Sequence, residues 1–456
     1  MATSLEASNG PSSSSSSSQV PTKLPSPRST WLNRAVFLGT GTSGQVPAIH
    51  CLSADVIDCE ACADAIKPDS RNRRGCCSVA LVGGGRKSSR PDSAYEDEQL
   101  IVIDAGPTFY GACVDYFRPN KVPRTIAGVL LTHGHADAIL GLDNLRAWTM
   151  GGVLQNHVDV YVTKETLDVA VSTFPYLADV SKATGGGGVG ALRWNIIDPN
   201  KPFFIGKGSE RIQITPLPVY HGFASRGGPP FNTLGFRIDS MSYVSDCHHI
   251  PPSTAKLMAG SDCVVIDSLM PRRHPSHFST SQAVSLLLSL PQDESRTSGG
   301  KNEPSFASAG PSLGILTDIT HRIEHHALQQ DLDKFCSSLK SWISSTSPSS
   351  LATTEQKDTT NGKSRERRGE GSGARWWSEV WDEDKGEMTG RIQVEPSLAS
   401  KLKNNQSDGT SNRIGGSASG DERHVPALRV AWDGMVIKFL RQPASPQQKS
   451  ADQSAL

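Results

Sequence analysis

The stretch Leu130-Leu131-Thr132-His133-Gly134-His135-Ala136-Asp137-Ala138 decides how this chain is read. The apolar run from Gly128 to Leu131 predicts a buried strand. Two histidines two residues apart follow it, and an aspartate stands two residues further on. Alternate residues leaving a strand point to one side, so the two imidazoles converge on one point. Neutral imidazoles with a carboxylate suit Zn, Mn or Fe ions. A lone core histidine is usually only hydrogen-bonded. Two histidines and an aspartate at this spacing argue against that bland reading.

The chain has 456 residues, of which 36% are hydrophobic. Length allows two or three domains. The Ser-, Gly- and Pro-rich stretches argue instead for one core, over residues 31–442, with polar insertions at about 83–99, 291–312 and 345–425. Residues 1–30, with serine unbroken from Ser12 to Ser18, and residues 443–456 are expected to be disordered tails. Lys plus Arg equals Asp plus Glu at 46 each, so no global field draws in nucleic acid. No apolar run approaches the ~20 residues of a membrane span. The N-terminus lacks the apolar segment of a secretory signal. Nine cysteines in such a chain argue against a disulfide framework. The expected location is the cytoplasm, with the nucleus as the alternative.

Around that stretch, Ala35 to Leu38 reads as a strand running into Gly39-Thr40-Gly41-Thr42-Ser43-Gly44. This turn lacks the Lys-Ser/Thr of a phosphate loop, and no helical pattern follows. Cys51, Cys59 and Cys62 come next, the last two as a C-x-x-C pair. Three thiolates and one imidazole make a structural zinc site, and the fourth ligand is not local. Free buried cysteines are the competing reading. Leu100 to Ile103 is a buried strand ending in Asp104. That aspartate either orients the histidine loop or merely caps a turn. Arg211 to Val219 alternates as a strand and leads to His221, a third candidate imidazole, before Gly222. A hairpin from Leu234 to Ser245 ends at Asp246, a candidate bridging carboxylate. The loop after Cys263–Ile266 carries Arg272, Arg273, His274 and His277, which suits an anionic substrate; a solvated surface loop is the alternative. Trp376, Trp377 and Trp381 form an aromatic island in a polar insertion, and the sequence assigns it no role. Asp433-Gly434 predicts a hairpin turn.

Several of these motifs, in this order, resemble the phosphodiesterase branch of the metallo-β-lactamase superfamily, near the enzyme of bacterial phosphonate breakdown that opens cyclic ribose phosphodiesters. They are Phe37-Leu38-Gly39-Thr40-Gly41-Thr42, Arg71-Asn72-Arg73-Arg74, Ile103-Asp104-Ala105-Gly106, the His133 loop with Gly141-Leu142-Asp143-Asn144-Leu145-Arg146, Asp246 with Ile250-Pro251, His274-Pro275-Ser276-His277-Phe278-Ser279, and Asp433-Gly434-Met435. The resemblance implies an α/β (α+β) fold, the αββα four-layer sandwich. It implies a first metal site of His133, His135, His221 and Asp246, with Asp246 bridging, and Asp137 on a second metal. The other two ligands of that second metal are histidines in the family, and here those places hold Ala138 and Asp318. Either an all-carboxylate site of Asp137, Asp246 and Asp318 survives, which favours harder ions such as Mn, or the second site is empty. A new carboxylate at one changed position favours the first reading. The resemblance also makes His321 the fourth ligand beside Cys51, Cys59 and Cys62.

The resemblance implies one or two Zn or Mn ions in the active site, one structural Zn, and a metal-dependent phosphoric diester hydrolase acting on a small or cyclic phosphodiester. His277 or His274 would protonate the leaving group, with His277 preferred. Arg272 or Arg273 would hold a phosphate oxygen, and Asp137 would position water if the second site is empty. The competing functions are a tRNA-processing-type nuclease, a thioester hydrolase, and a non-catalytic binding protein with a degenerate site. A small-molecule substrate is expected rather than nucleic acid or a membrane, and a homodimer is compatible.

Overall fold

The computed structural model describes residues 26–87, 95–186, 188–206, 211–290, 311–345, 381–382, 387–388 and 425–442. Two seven-stranded sheets dominate it. The first runs, edge to edge, Val436–Lys438, Leu32–Gly39, Ser78–Lys87, Tyr95–Ile103, Ile126–Leu130, Val158–Val162 and Leu192–Ile196. The second runs Ala427–Val430, Leu313–Thr317, Cys263–Asp267, Met241–Val244, Pro230–Ile238, Ile212–Phe223 and Phe203–Ile205. Side chains from both sheets, among them Phe37, Leu81, Ile103, Phe236, Tyr243 and Val265, form one buried cluster between them. The outer face of the first sheet is covered by helix Phe109–Tyr116 and its neighbours. Helices Thr280–Ser289 and His325–Ser345 cover the second. This is the expected αββα sandwich. Its central strands read as continuous apolar runs because both faces are buried.

Local rules explain most elements. Ser279 caps Thr280–Ser289 through a capping box with Gln282. Pro175 separates helix Lys164–Thr173 from helix Pro175–Ala178, which it opens. Two expectations are corrected. The insertion placed at 83–99 is mostly strand: Ser78–Lys87 pairs antiparallel with Tyr95–Ile103 as far as Lys87 and Tyr95. Polar residues suit these strand ends because they are only partly covered. The runs flanking Asp433-Gly434 are not a hairpin. Ala427–Val430 pairs with Leu313–Thr317 in one sheet, and Val436–Lys438 with Leu32–Gly39 in the other. Gly434 has φ +81°, as such a turn needs. The Asp433 carboxylate accepts from Gly75 N at 2.6 Å and Thr40 Oγ1 at 2.7 Å, which ties the crossing between the sheets to the end of the first one.

The insertion segments 291–310, 346–380, 383–386 and 389–424 lie outside the described residues, as do Trp376 and Trp377. Trp381 begins a two-residue strand paired with Glu387–Met388. Among the described residues, no helix is long and apolar enough to cross a membrane.

One buried group makes the fold acid-sensitive. His325 opens the last helix, is 1% exposed, and has no hydrogen-bond partner at Nδ1. Burial, helped by the nearby Arg74 cation, pulls its pKa down to about 3. Its folded value lies below the unfolded one of ~6.5. Its contribution is therefore complete above that value and is lost as pH falls toward about 3. Urea titrations should show wild type losing, between those limits, up to ~1.4 kcal/mol per pH unit more than His325→Asn.

Candidate metal centre

The strand Ile126–Leu130 ends beside Tyr95–Ile103 in the first sheet, which places Thr132 against Asp104. Thr132 N donates to Asp104 Oδ1 at 2.8 Å and its hydroxyl donates to Oδ2 at 2.7 Å. With its hydrogen so committed, the hydroxyl oxygen accepts from His133 Nδ1 at 2.8 Å. This chain fixes the His133 tautomer and leaves Nε2 a lone pair. Asp104 therefore orients the histidine loop through Thr132. It adopts φ +58°, a conformation L-residues avoid unless the surroundings hold it. Gly106 allows the two loops to touch, since a Cβ there would lie 1.8 Å from Asp137 O.

His135 is exposed, and its ring stacks on Phe231 at 4.8 Å and 8°. His221 lies inside the strand Ile212–Phe223, not beyond its end. Its Nδ1 donates to Ser276 O at 2.7 Å. Gly222, at φ +65°, carries the chain past Ser276. His133, His135 and His221 each offer a ring nitrogen within 4.8 Å of the others. Burial, opposed by the Asp137 carboxylate, pulls the His133 pKa down to about 3, and burial also lowers that of His221. Both rings are neutral donors at neutral pH. Asp246 and His277 form a second such group with His221. Asp137 lies beside the cluster, Oδ1 3.9 Å from His133 Nε2.

Asp318 pairs with an imidazole. Its Oδ2 is 2.7 Å from His277 Nδ1, and the same nitrogen donates to Asp267 Oδ2 at 2.9 Å. Among the described residues, Asp137, Asp246 and Asp318 are not gathered into one ligand group; Asp318 is grouped with Asp267 and His277. A short aspartate side chain at φ +60° pairs with the imidazole beside it. His277 holds its proton far above the ordinary imidazole range, to about 12. Burial opposes this, and the Asp318 and Asp267 carboxylates outweigh it. His274 Nδ1 lies 3.1 Å from Ser276 Oγ, and its ring is 5.3 Å from that of His277. Arg272 and Arg273 are exposed in the same loop.

The residues present fit a divalent ion at the histidines. His133 Nε2 is buried without any hydrogen-bond partner, a cost the fold accepts only if something else meets that lone pair. The cysteine set also fits zinc. Sγ of Cys51, Cys59 and Cys62 lie 3.5, 3.6 and 3.7 Å from His321 Nδ1. Tetrahedral zinc with bonds of about 2.3 Å to sulfur and 2.0 Å to nitrogen separates those atoms by roughly 3.5 Å. Burial, with the neighbouring thiols Cys59 and Cys51, pushes the Cys62 thiol up to about 12. A cation would supply the charge that lets these sulfurs ionise.

Sequence reasoning missed Thr132, Phe231 and Asp267. Asp267 ends an apolar strand as Asp104 does, and that shared signal could have found it. His248 accepts from Gly222 N at 2.8 Å, behind His221.

Residues 99–296 match the family model described as beta-lactamase superfamily domain. The chain is 25% identical, over 268 residues, to an octanoyltransferase of Porphyromonas gingivalis. That match covers 58% of this chain and 44% of the relative, less than half of its length. Among solved structures, a diphosphatase of the PhnP family is similar at TM-score 0.47 and 23% identity, over 65% of this chain and 90% of that one. Zinc-bound PqqB of Methylobacterium extorquens is similar at TM-score 0.41 and 20% identity, over 63% and 90%.

Proposed function

We propose that this chain, a hydrolase of the metallo-β-lactamase superfamily, is a metal-dependent phosphodiesterase acting on a small or cyclic phosphodiester. The supporting observation is the convergence of His133, His135 and His221, with Asp246 and His277 sharing His221, beside a loop that carries Arg272 and Arg273. His133, His135, His221 and Asp246 would hold one divalent ion, Zn or Mn. When bound, that ion supplies Lewis-acid charge at the phosphoryl group and makes water a competent nucleophile near neutral pH.

The chain's own residues do the rest. Asp137 accepts a hydrogen bond from the attacking water and aligns it. Arg272 and Arg273 bind non-bridging oxygens, the guanidinium geometry suiting phosphate. His277 donates its Nε2 proton to the leaving alkoxide. Its two carboxylate partners keep it charged, and an alkoxide is a strong enough base to take that proton. His274 braces the loop through Ser276.

The test is hydrolysis of bis(p-nitrophenyl) phosphate, a phosphomonoester and a thioester by Zn- and Mn-loaded protein. Phosphodiester turnover that chelator abolishes supports the reading, and thioester turnover alone sinks it. His277→Ala should lose ~10²- to 10⁴-fold in kcat on an alkyl phosphodiester. On the p-nitrophenyl ester, whose leaving group needs no proton, the loss should stay under ~10-fold. Equal losses on both would remove His277 from the proton-donor role.

A further inference from the structure

The resemblance in the sequence implies a second active-site cation, and the residues of this structure do not fit one. Position 138 is a buried alanine with no ligand atom. Among the described residues Asp318 is grouped with Asp267 and His277, its Oδ2 2.7 Å from His277 Nδ1, and not with Asp137 and Asp246 as one ligand set. We infer that the Asp267–His277–Asp318 cluster takes the place of that cation, so that the site binds a single ion.

The geometry within the cluster carries this. Both carboxylates are fully enclosed, Asp267 at 0% and Asp318 at 1% exposure. His277 has one Nδ1 hydrogen, and it points to Asp267 Oδ2. Asp318 Oδ2 lies within ion-pair distance of the same nitrogen yet accepts no hydrogen bond, and Asp267 Oδ1 has no partner either. Asp267 Oδ2 is thus met by two hydrogen bonds, while Asp267 Oδ1 and Asp318 Oδ2 have none, and the imidazole is the side chain that both acids reach. That ring also stands in one group with His221 and Asp246, so it fills the space between those two residues and the two acids. His277 is thereby held at Nδ1 by both Asp318 and Asp267, and Cys247 N braces Asp267 Oδ2 at 2.9 Å. Both aspartates are positioning residues for His277. An ion beside Asp318 would have to displace that imidazole.

The inference rests on reading the three histidines and Asp246 as an ion site. The experiment counts metal in full-length protein saturated with Zn or with Mn and dialysed, for wild type and Asp318→Asn. Two ions per chain in both, one of them at the cysteines, is the expected result. Mn-loaded wild type should give the electron paramagnetic resonance of isolated ions. Three ions in wild type, an exchange-coupled Mn pair, or an ion lost in Asp318→Asn overturns the inference. A count of one, the cysteine-bound ion alone, overturns the ion site beneath it as well. Phosphodiester turnover with a count of three leaves the proposed function standing while the substitution falls. If Asp318→Asn does not fold, the wild-type count and spectrum still decide.

Discussion

Asp246→Ala is expected to lower kcat/KM for phosphodiesters by at least ~10³-fold and to remove one ion per chain, while the ion at Cys51, Cys59, Cys62 and His321 stays. Asp246 is the carboxylate placed with His221 and His277, and it is 7% exposed. An imidazole brings no charge to an ion it binds, so Asp246 is the negative ligand of the set proposed for the ion. Without it the ion loses its charge-bearing ligand, and the nucleophile and the phosphoryl group lose the cation they share. The backbone cost should be small. Asp246 contributes its carbonyl to Thr233 Oγ1 at 3.1 Å, a bond that alanine keeps. Metal analysis and kinetics on one preparation check this. Full activity with the ion retained would remove Asp246 from the site.

Cys62→Ser should be the most destabilising single change away from that centre. The corner it holds has almost no core of its own, only Val46, Ala48, Cys51, Cys62 and Ala65 with Ile57 and Cys59 against them. Its helices, Ile49–Leu52 and Glu60–Ala65, have four and six residues, too few to be stable alone. Structural zinc binding is itself folding energy, about 10–16 kcal/mol in small zinc-finger peptides. Part of that is absorbed here by the rest of the fold. A loss of ~5 kcal/mol and a Tm lower by ~10 °C are expected, with hydrogen-exchange protection gone from residues 46–65. The consequence reaches the active site through His321, three residues beyond Asp318. A freed His321 loosens the turn that holds Asp318 against His277, so kcat should fall even where the variant remains folded. An unchanged Tm with one ion fewer would make the cysteine ion adventitious.

Much of the site was legible because its signals are local. A strand buried on both faces writes itself as Gly128 to Leu131, and a period of two carries His133 and His135 to one side. Asp104 was legible only as one of two alternatives. Its link to His133 runs through Thr132, and no pattern in the chain announces a hydroxyl that both donates and accepts. Asp246 and His221 were found from strand ends, although the strand bearing His221 continues two residues past it. Polarity misled at 83–99, since strand ends at a sheet margin carry the same residues as a loop. The Asp433-Gly434 turn misled differently. Dipeptide chemistry sets a bend but says nothing about which sheet edge each flanking run will meet.

By itself, then, the order of apolar runs, glycines and histidines determined the buried strands and the histidine pair that leaves one of them, because burial and periodicity are properties of neighbouring residues; the αββα sandwich followed only from the resemblance that the motifs carry. Tertiary structure alone decided what Asp318 does. A carboxylate within reach of an ion site is a ligand or a partner for imidazole according to which group lies nearest. Here His277, 41 positions earlier in the chain, arrives at 2.7 Å because parallel strands Cys263–Asp267 and Leu313–Thr317 end side by side. That adjacency sets the local charge, and it is invisible in either stretch of sequence taken alone.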